Sequence, residues 1–268
     1  MKIKILLLLL IAVINYASAQ EYGHNNNAGH YVHIRGINMY YEVYGTGRPL
    51  LMIHGNGGSI GAFKNTIPYF AQKYKVIIAD SRAHGRTIDR QDSLSFEMMA
   101  DDFSVLLDSL KIDSAYVLGW SDGGINALEL AMRHPGKVKK LASTGANLWP
   151  DSTGLVPWYW KNEQRQFAEY QRHPPQTVEE KNTYKIFLLD WLQPNIPLKA
   201  LHSIKCPSLI ISGDKDLIPL EHTVTIYENI PNAYLWIVPN SGHATLVEHE
   251  DEFNKLVDDF FSKPFHQR

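Results

Sequence analysis

The chain has 268 residues, enough for one large domain with room for an inserted piece. Lys and Arg number 26 against 28 Asp and Glu, a formal net charge of −2 that argues against a nucleic-acid partner and against attachment to an anionic membrane. Cys206 is the only cysteine, which excludes an intramolecular disulfide; beside Pro207 and ahead of an apolar run, it suits packing better than nucleophilic chemistry.

Residues 1–19 read as a secretory signal peptide. Lys2 and Lys4 form its charged start, residues 5–14 its apolar core and Ala17-Ser18-Ala19 its cleavage site. The apolar core is too short to span a bilayer comfortably, and no cysteine follows the site to carry a lipid, so no stable membrane anchor is expected. Cleavage after Ala19 would leave a mature domain over 20–268, take the net charge from −2 to −4, and make the protein secreted or periplasmic.

A polar lead over 20–30 precedes a strand hairpin, 31–34 and 37–44, turning at Arg35-Gly36. Residues 50–53 form a continuous apolar run of the kind a strand buried on both faces shows, ending in His54-Gly55-Asn56-Gly57-Gly58. A helix is predicted over 60–73. The next buried strand, 75–79, runs into Asp80-Ser81-Arg82-Ala83-His84-Gly85. Phe96, Met99, Phe103, Leu106, Leu107 and Leu110 then share one helical face. A strand over 115–118 leads into Gly119-Trp120-Ser121-Asp122-Gly123-Gly124, followed by a helix that stops at Pro135-Gly136. The strand 138–144 ends at Gly145-Ala146-Asn147.

The alternation breaks over 148–200, where nine of the aromatic residues cluster and no strand pattern is present; a small inserted helical cap is expected. Alternation resumes with a strand over 208–212, the loop Gly213-Asp214-Lys215-Asp216 and a helix over 221–229. The last strand, 234–238, ends in Pro239-Asn240-Ser241-Gly242-His243, and the final helix carries Phe253, Leu256, Val257, Phe260 and Phe261 on one face. This order predicts an α/β fold: a mostly parallel eight-stranded sheet covered by helices on both faces, with reactive groups beyond the carboxyl ends of the strands.

Gly119-x-Ser121-x-Gly123 between a strand and a helix is the pattern of a nucleophile elbow, which holds a serine in a sharp turn at the positive end of a helix. A serine hydroxyl needs a base and a third group to orient that base. In the order Ser…Asp…His, His222, His243, His249 and His266 follow the acid, and His243 alone follows a strand end. Asp214 and Asp216 both leave a strand end; Asp216 is preferred as the acid because apolar residues and Pro219 fix its loop, while Asp214 suits support of the turn. The oxyanion donors expected are the backbone N–H groups of Asn56 and Asp122. His54, His84 and Asp80 fit a bracing role. Trp120, Asp122, Trp149 and Trp158 are the candidate substrate-binding residues. No P-loop is present, and His24, His30 and His33 are irregularly spaced with no carboxylate or thiol beside them, so no cofactor and no metal is expected.

Taken together, His54-Gly55-Asn56-Gly57, Asp80-Ser81-Arg82-Ala83-His84-Gly85, the Ser121 turn, Gly213-Asp214-Lys215-Asp216 and Gly242-His243 resemble the α/β-hydrolase superfamily across the mature length. One departure is Ala83, where many relatives carry glycine. The resemblance implies Ser121 as nucleophile, Asp216 as acid and His243 as base. The segments 119–125, 145–147 and 251–256 look most similar to the valacyclovir hydrolase (biphenyl hydrolase-like) branch, which implies that the acid after the nucleophile, here Asp122, holds a substrate α-ammonium group. The alternative for Asp122 is capping of the helix it begins. The expected function is hydrolysis of a small-molecule carboxylic ester through an acyl-enzyme. Lactone or carbon–carbon bond hydrolysis uses the same triad, and a ligand-binding receptor with a slow triad is the reading from a different class.

Overall fold

A computed structural model describes residues 21–266; the expected signal peptide lies outside them. The strands are β1 (Gly29–Ile34), β2 (Ile37–Tyr44), β3 (Arg48–Ile53), β4 (Tyr74–Ala79), β5 (Ala115–Trp120), β6 (Val138–Thr144), β7 (Ser208–Gly213) and β8 (Ala233–Val238). They form one eight-stranded sheet in the order β1-β2-β4-β3-β5-β6-β7-β8. The β1–β2 hairpin and the β2–β4 pair are antiparallel, and all pairs from β4 through β8 are parallel. The helices are α1 (Ile67–Phe70), α2 (Phe96–Ser109), α3 (Asp122–Arg133), α4 (Pro157–Arg172), α5 (Val178–Leu192), α6 (Leu198–Leu201), α7 (Leu220–Glu228), α8 (Thr245–Glu248) and α9 (Glu250–Ser262).

The two-residue period of the central strands feeds two apolar layers. In β3, Leu51 and Ile53 join one layer with Phe96, Phe103 and Leu107 of α2 and with Ile125 and Leu128 of α3. Leu50 and Met52 join the other with Ile67 and Phe70 of α1 and with Phe253, Val257 and Phe261 of α9. A strand buried on both faces therefore reads as unbroken hydrophobicity. Each such side chain removed from water contributes roughly 1.5–3 kcal/mol.

The helix expected over 60–73 is a difference: a 3-10 turn at Ile60–Phe63 and the single turn α1 stand there instead. Pro68 has no N–H to continue a helix from Lys64, and its ring favours only the first turn of a new one. Between β6 and β7 the chain leaves the sheet and forms α4, α5 and α6. Trp191 of α5 stacks on Trp160 and Phe167 of α4, with ring centroids 4.9 and 4.7 Å apart. These aromatics join the two helices to each other.

A buried charge network ties this region to the sheet. Arg82, 1% exposed, places Nε and Nη2 2.7 and 2.8 Å from Asp102 of α2 and Nη1 3.3 Å from Asp89. Lys185 of α5 reaches the same Asp89 at 2.9 Å. Ala83, next to Arg82, has φ +67°, a left-handed conformation that glycine adopts freely and alanine only at a cost.

Candidate active site

Ser121 sits in the turn between β5 and α3 with φ +58° and ψ −123°. Such a conformation costs roughly 1–3 kcal/mol and persists only where the surroundings enforce it. Here the Ser121 N–H donates to Thr144 O at 2.8 Å, and Ser121 O accepts from the N–H groups of Gly124 and Ile125 at 2.7 and 3.1 Å, starting the helix. The turn is also packed tight: a Cβ on Gly123 would lie 1.9 Å from Ile53 O. The hydroxyl is thus held out beyond the sheet, at the positive end of α3.

His243 follows β8 and Asp216 follows β7. His243 Nε2 is 2.9 Å from Ser121 Oγ, and His243 Nδ1 is 2.6 Å from Asp216 Oδ1. A proton on Nδ1 donates to the carboxylate, leaving Nε2 to accept from the serine. Asp216 has a fully buried side chain and accepts two further hydrogen bonds, from Ile218 N at 3.1 Å and Ser212 Oγ at 3.2 Å. The Trp120 indole N–H donates to His243 O at 2.9 Å, clamping the His243 loop to the residue before the serine. Asp214 does not join this group. Its carboxylate is exposed and accepts from Ser241 N at 3.1 Å; hydrogen bonds from Asn240 and Ser241 hold it below the usual carboxylate range.

The loop after β3 lies directly against the serine: a Cβ on Gly55 would fall 2.9 Å from Ser121 Cβ. Among the described residues, the backbone N–H groups of Asn56 and Asp122 donate to nothing else in the protein. His54 braces this loop, donating from Nδ1 to Gly55 O at 2.8 Å and accepting at Nε2 from Ser81 N at 3.0 Å. Burial pushes its imidazole down to about 4, so it stays neutral. Asp80 ties the same corner together through Ile60 N and Arg86 N at 2.9 and 2.7 Å. His222 is buried in α7 and accepts from Leu148 N at 2.9 Å, fastening the start of the inserted region. Cys206 is half-buried, and burial raises its thiol to about 11, so it is not a thiolate near neutral pH.

These groups open into a cavity of about 340 Å³ between the sheet loops and the inserted helices. Trp120 and Asp122 line it. Trp149 and Trp158, expected there, do not. Trp149 packs edge-on against His222 at 5.0 Å and donates its N–H to Ile196 O, whereas Trp158 points outward and is 67% exposed. The helical phase of α4 instead brings Tyr159 and Glu163 to the cavity, and α5 brings Asp190. Sequence reasoning missed all three, although Asp190 interrupts an otherwise apolar run, Ile186-Phe187-Leu188-Leu189, which is a signal in itself.

Asp122 is buried, and its carboxylate accepts from Asn56 Nδ2 at 2.9 Å. It also lies within hydrogen-bond reach of the Asp190 carboxyl. Among the described residues it accepts from no N–H of the helix it begins, so capping is not what holds it. Burial raises the Asp122 carboxyl, and burial, then the charge of Asp122, pushes Asp190 well above the usual carboxylate range. Burial followed by the charges of Asp190, Glu163 and Asp122 likewise raises the Tyr159 phenol.

Residues 48–162 match the family model of the alpha/beta hydrolase fold. The chain is 28% identical over 246 residues to the serine hydrolase BPHL of Homo sapiens, covering 85% of this chain and 84% of that protein. It is 27% identical to a 2-hydroxy-6-oxo-6-phenylhexa-2,4-dienoate hydrolase of Burkholderia cepacia, over 81% of this chain and 89% of the relative. The solved structure of Est816, described as an N-acyl homoserine lactone degrading enzyme, superposes with a TM-score of 0.72 at 26% identity, over 86% of this chain and all of that one. In fold and in sequence the chain is thus similar to proteins of the α/β-hydrolase superfamily, the serine hydrolase BPHL among them.

Proposed function

We propose that the chain hydrolyses carboxylic esters through an acyl-enzyme on Ser121, with a preference for esters of α-amino acids. The observation that carries this reading is the unbroken hydrogen-bonded series Asp216–His243–Ser121 at 2.6 and 2.9 Å. His243 takes the Ser121 proton as Oγ attacks the ester carbonyl. Asp216 stabilises the imidazolium, and the N–H groups of Asn56 and Asp122 receive the developing oxyanion, each donor contributing about 2.7–4 kcal/mol to the transition state. His243 then returns the proton to the departing alkoxide. Water, deprotonated by the same base, releases the acid.

The preference for a free amine rests on Asp122: a buried carboxylate one residue from the nucleophile offers a charge-assisted hydrogen bond to a substrate ammonium. Ser121→Ala should lower kcat on p-nitrophenyl esters by roughly 10⁴-fold or more; unchanged turnover would end the proposal. For the amine, the comparison is an alanine ester against its N-acetyl analogue, in wild type and in Asp122→Asn. The free amine should be favoured by about tenfold or more in wild type and lose its advantage in the variant.

A second reading, lactone or carbon–carbon bond hydrolysis, has support in the similarity to the dienoate hydrolase and to Est816. Turnover of lactones or dienoic diketones faster than of any ester would favour it.

A further inference from the structure

Three carboxyl groups line the cavity, and no lysine or arginine does: Asp122 at the sheet, Asp190 on α5 and Glu163 on α4. Two of the three are accounted for. Asp122 and Asp190 lie within hydrogen-bond reach of each other, and Asp122 also accepts from Asn56. Glu163 is different. It is 6% exposed, yet among the described residues its carboxylate has no hydrogen bond and no ion pair. The titratable groups around it are Asp190 and Tyr159, with Asp122, His84 and His243 further along; none of the five is a permanent cation. Burial holds its carboxyl above the usual carboxylate range, and no cation of the protein lines the cavity to offset that cost. A ligand that brings a positive charge restores the ionised form.

We propose that Glu163 is the specificity-determining residue for a second cationic group of the substrate, an ammonium or guanidinium separate from the one held at Asp122. The inference rests on the Asp122 reading and extends it: the site takes a dibasic ester. The first ammonium sits against the Asp122–Asp190 pair where the sheet meets the inserted helices. The second sits against Glu163, one turn along α4 from Tyr159, whose phenol oxygen is a further acceptor. The second amine belongs either to the acyl group, as in a lysine ester, or to the alcohol, as in a 2-aminoethyl ester. Both place an ammonium on a short flexible chain, and a cavity of about 340 Å³ admits either.

The test uses the full chain and compares kcat/KM within matched pairs, each normalised to active sites titrated with a fluorophosphonate. Methyl lysinate against methyl norleucinate differs by one ammonium on the acyl side, and the 2-aminoethyl against the propyl ester of alanine differs by one on the alcohol side. Wild type should favour the dibasic member of at least one pair by about tenfold or more, and Glu163→Gln should remove that advantage. The pair that responds identifies the side of the ester carrying the second cation. No preference in either pair, or a preference that survives in Glu163→Gln, overturns the proposal. Alanine esters against their N-acetyl analogues keep the two readings apart. Alanine favoured without any dibasic preference removes Glu163 alone, while no advantage for the free amine removes Asp122 and the second site with it.

Discussion

The floor and the roof of the cavity are built on different principles. The floor is the set of loops at the carboxyl ends of β3, β5, β7 and β8. There the backbone is fixed by short hydrogen bonds and by close approaches that only glycine permits, and Ser121, Asp216 and His243 stand in one arrangement. The roof is α4 and α5, joined to each other by stacked aromatics and to the sheet by the Lys185–Asp89 pair. Its polar groups, Tyr159, Glu163 and Asp190, are aimed by helical phase and carry few partners of their own. The floor holds its polar groups in one fixed geometry, and the roof presents carboxyl groups to the same cavity.

The contrast breaks most sharply at Gly123. Gly123→Ala forces a methyl to within 1.9 Å of Ile53 O, so the turn must move. A destabilisation of about 3 kcal/mol, together with near-complete loss of fluorophosphonate labelling at Ser121, is expected; a wild-type melting midpoint and labelling rate would refute the rigid floor. Acid acts on the same region. The His54 imidazole stands at about 4 in the folded chain against an ordinary 6.5, so the unfolded chain takes up its proton first. Stability from this group is complete above pH 6.5 and is lost as the pH falls toward 4, by roughly 3 kcal/mol. Urea midpoints measured across that range should fall, and fall less steeply in His54→Gln.

The roof responds differently. Lys185→Met removes one of the two cations on Asp89 but leaves Arg82 in place. KM should rise by about tenfold while the rate of fluorophosphonate labelling at Ser121 stays near wild type, because the loss falls on the hold of α5 and not on the triad. Equal losses in both would show the two regions to be one. Trp158→Ser sharpens the comparison from the other side. With two thirds of its surface in water, Trp158 should be replaceable within about 0.5 kcal/mol of stability and with unchanged kcat/KM.

The same division explains what the sequence could reveal. The floor was legible because each of its residues is tied to a local pattern: a strand end, a glycine-flanked serine, a histidine after the last strand. Even the choice of Asp216 over Asp214 followed from the apolar residues after it, one of which, Ile218, donates its N–H to Asp216. The roof was legible only as a region. Its aromatics drew attention, but Trp160, Phe167 and Trp191 satisfy one another between α4 and α5, and Trp158 faces outward. Which face of α4 meets the cavity depends on how the helix pair packs on the sheet, and that packing has no period in the sequence. Glu163 therefore carries no mark in the sequence, and Asp190 only the apolar run it interrupts. The short helices at 60–70 carry a smaller lesson: a single proline outweighed a plausible apolar stripe.

The hydrogen bond from the Trp120 indole to His243 O joins two residues 123 positions apart and touches neither α4 nor α5. Because of it, the Ser121 turn and the His243 loop are fastened to each other without help from the roof. The two loops and the inserted helices are in that sense separable pieces of one chain. Exchanging residues 157–192 should therefore leave the hydrogen bond between His243 and Ser121 in place.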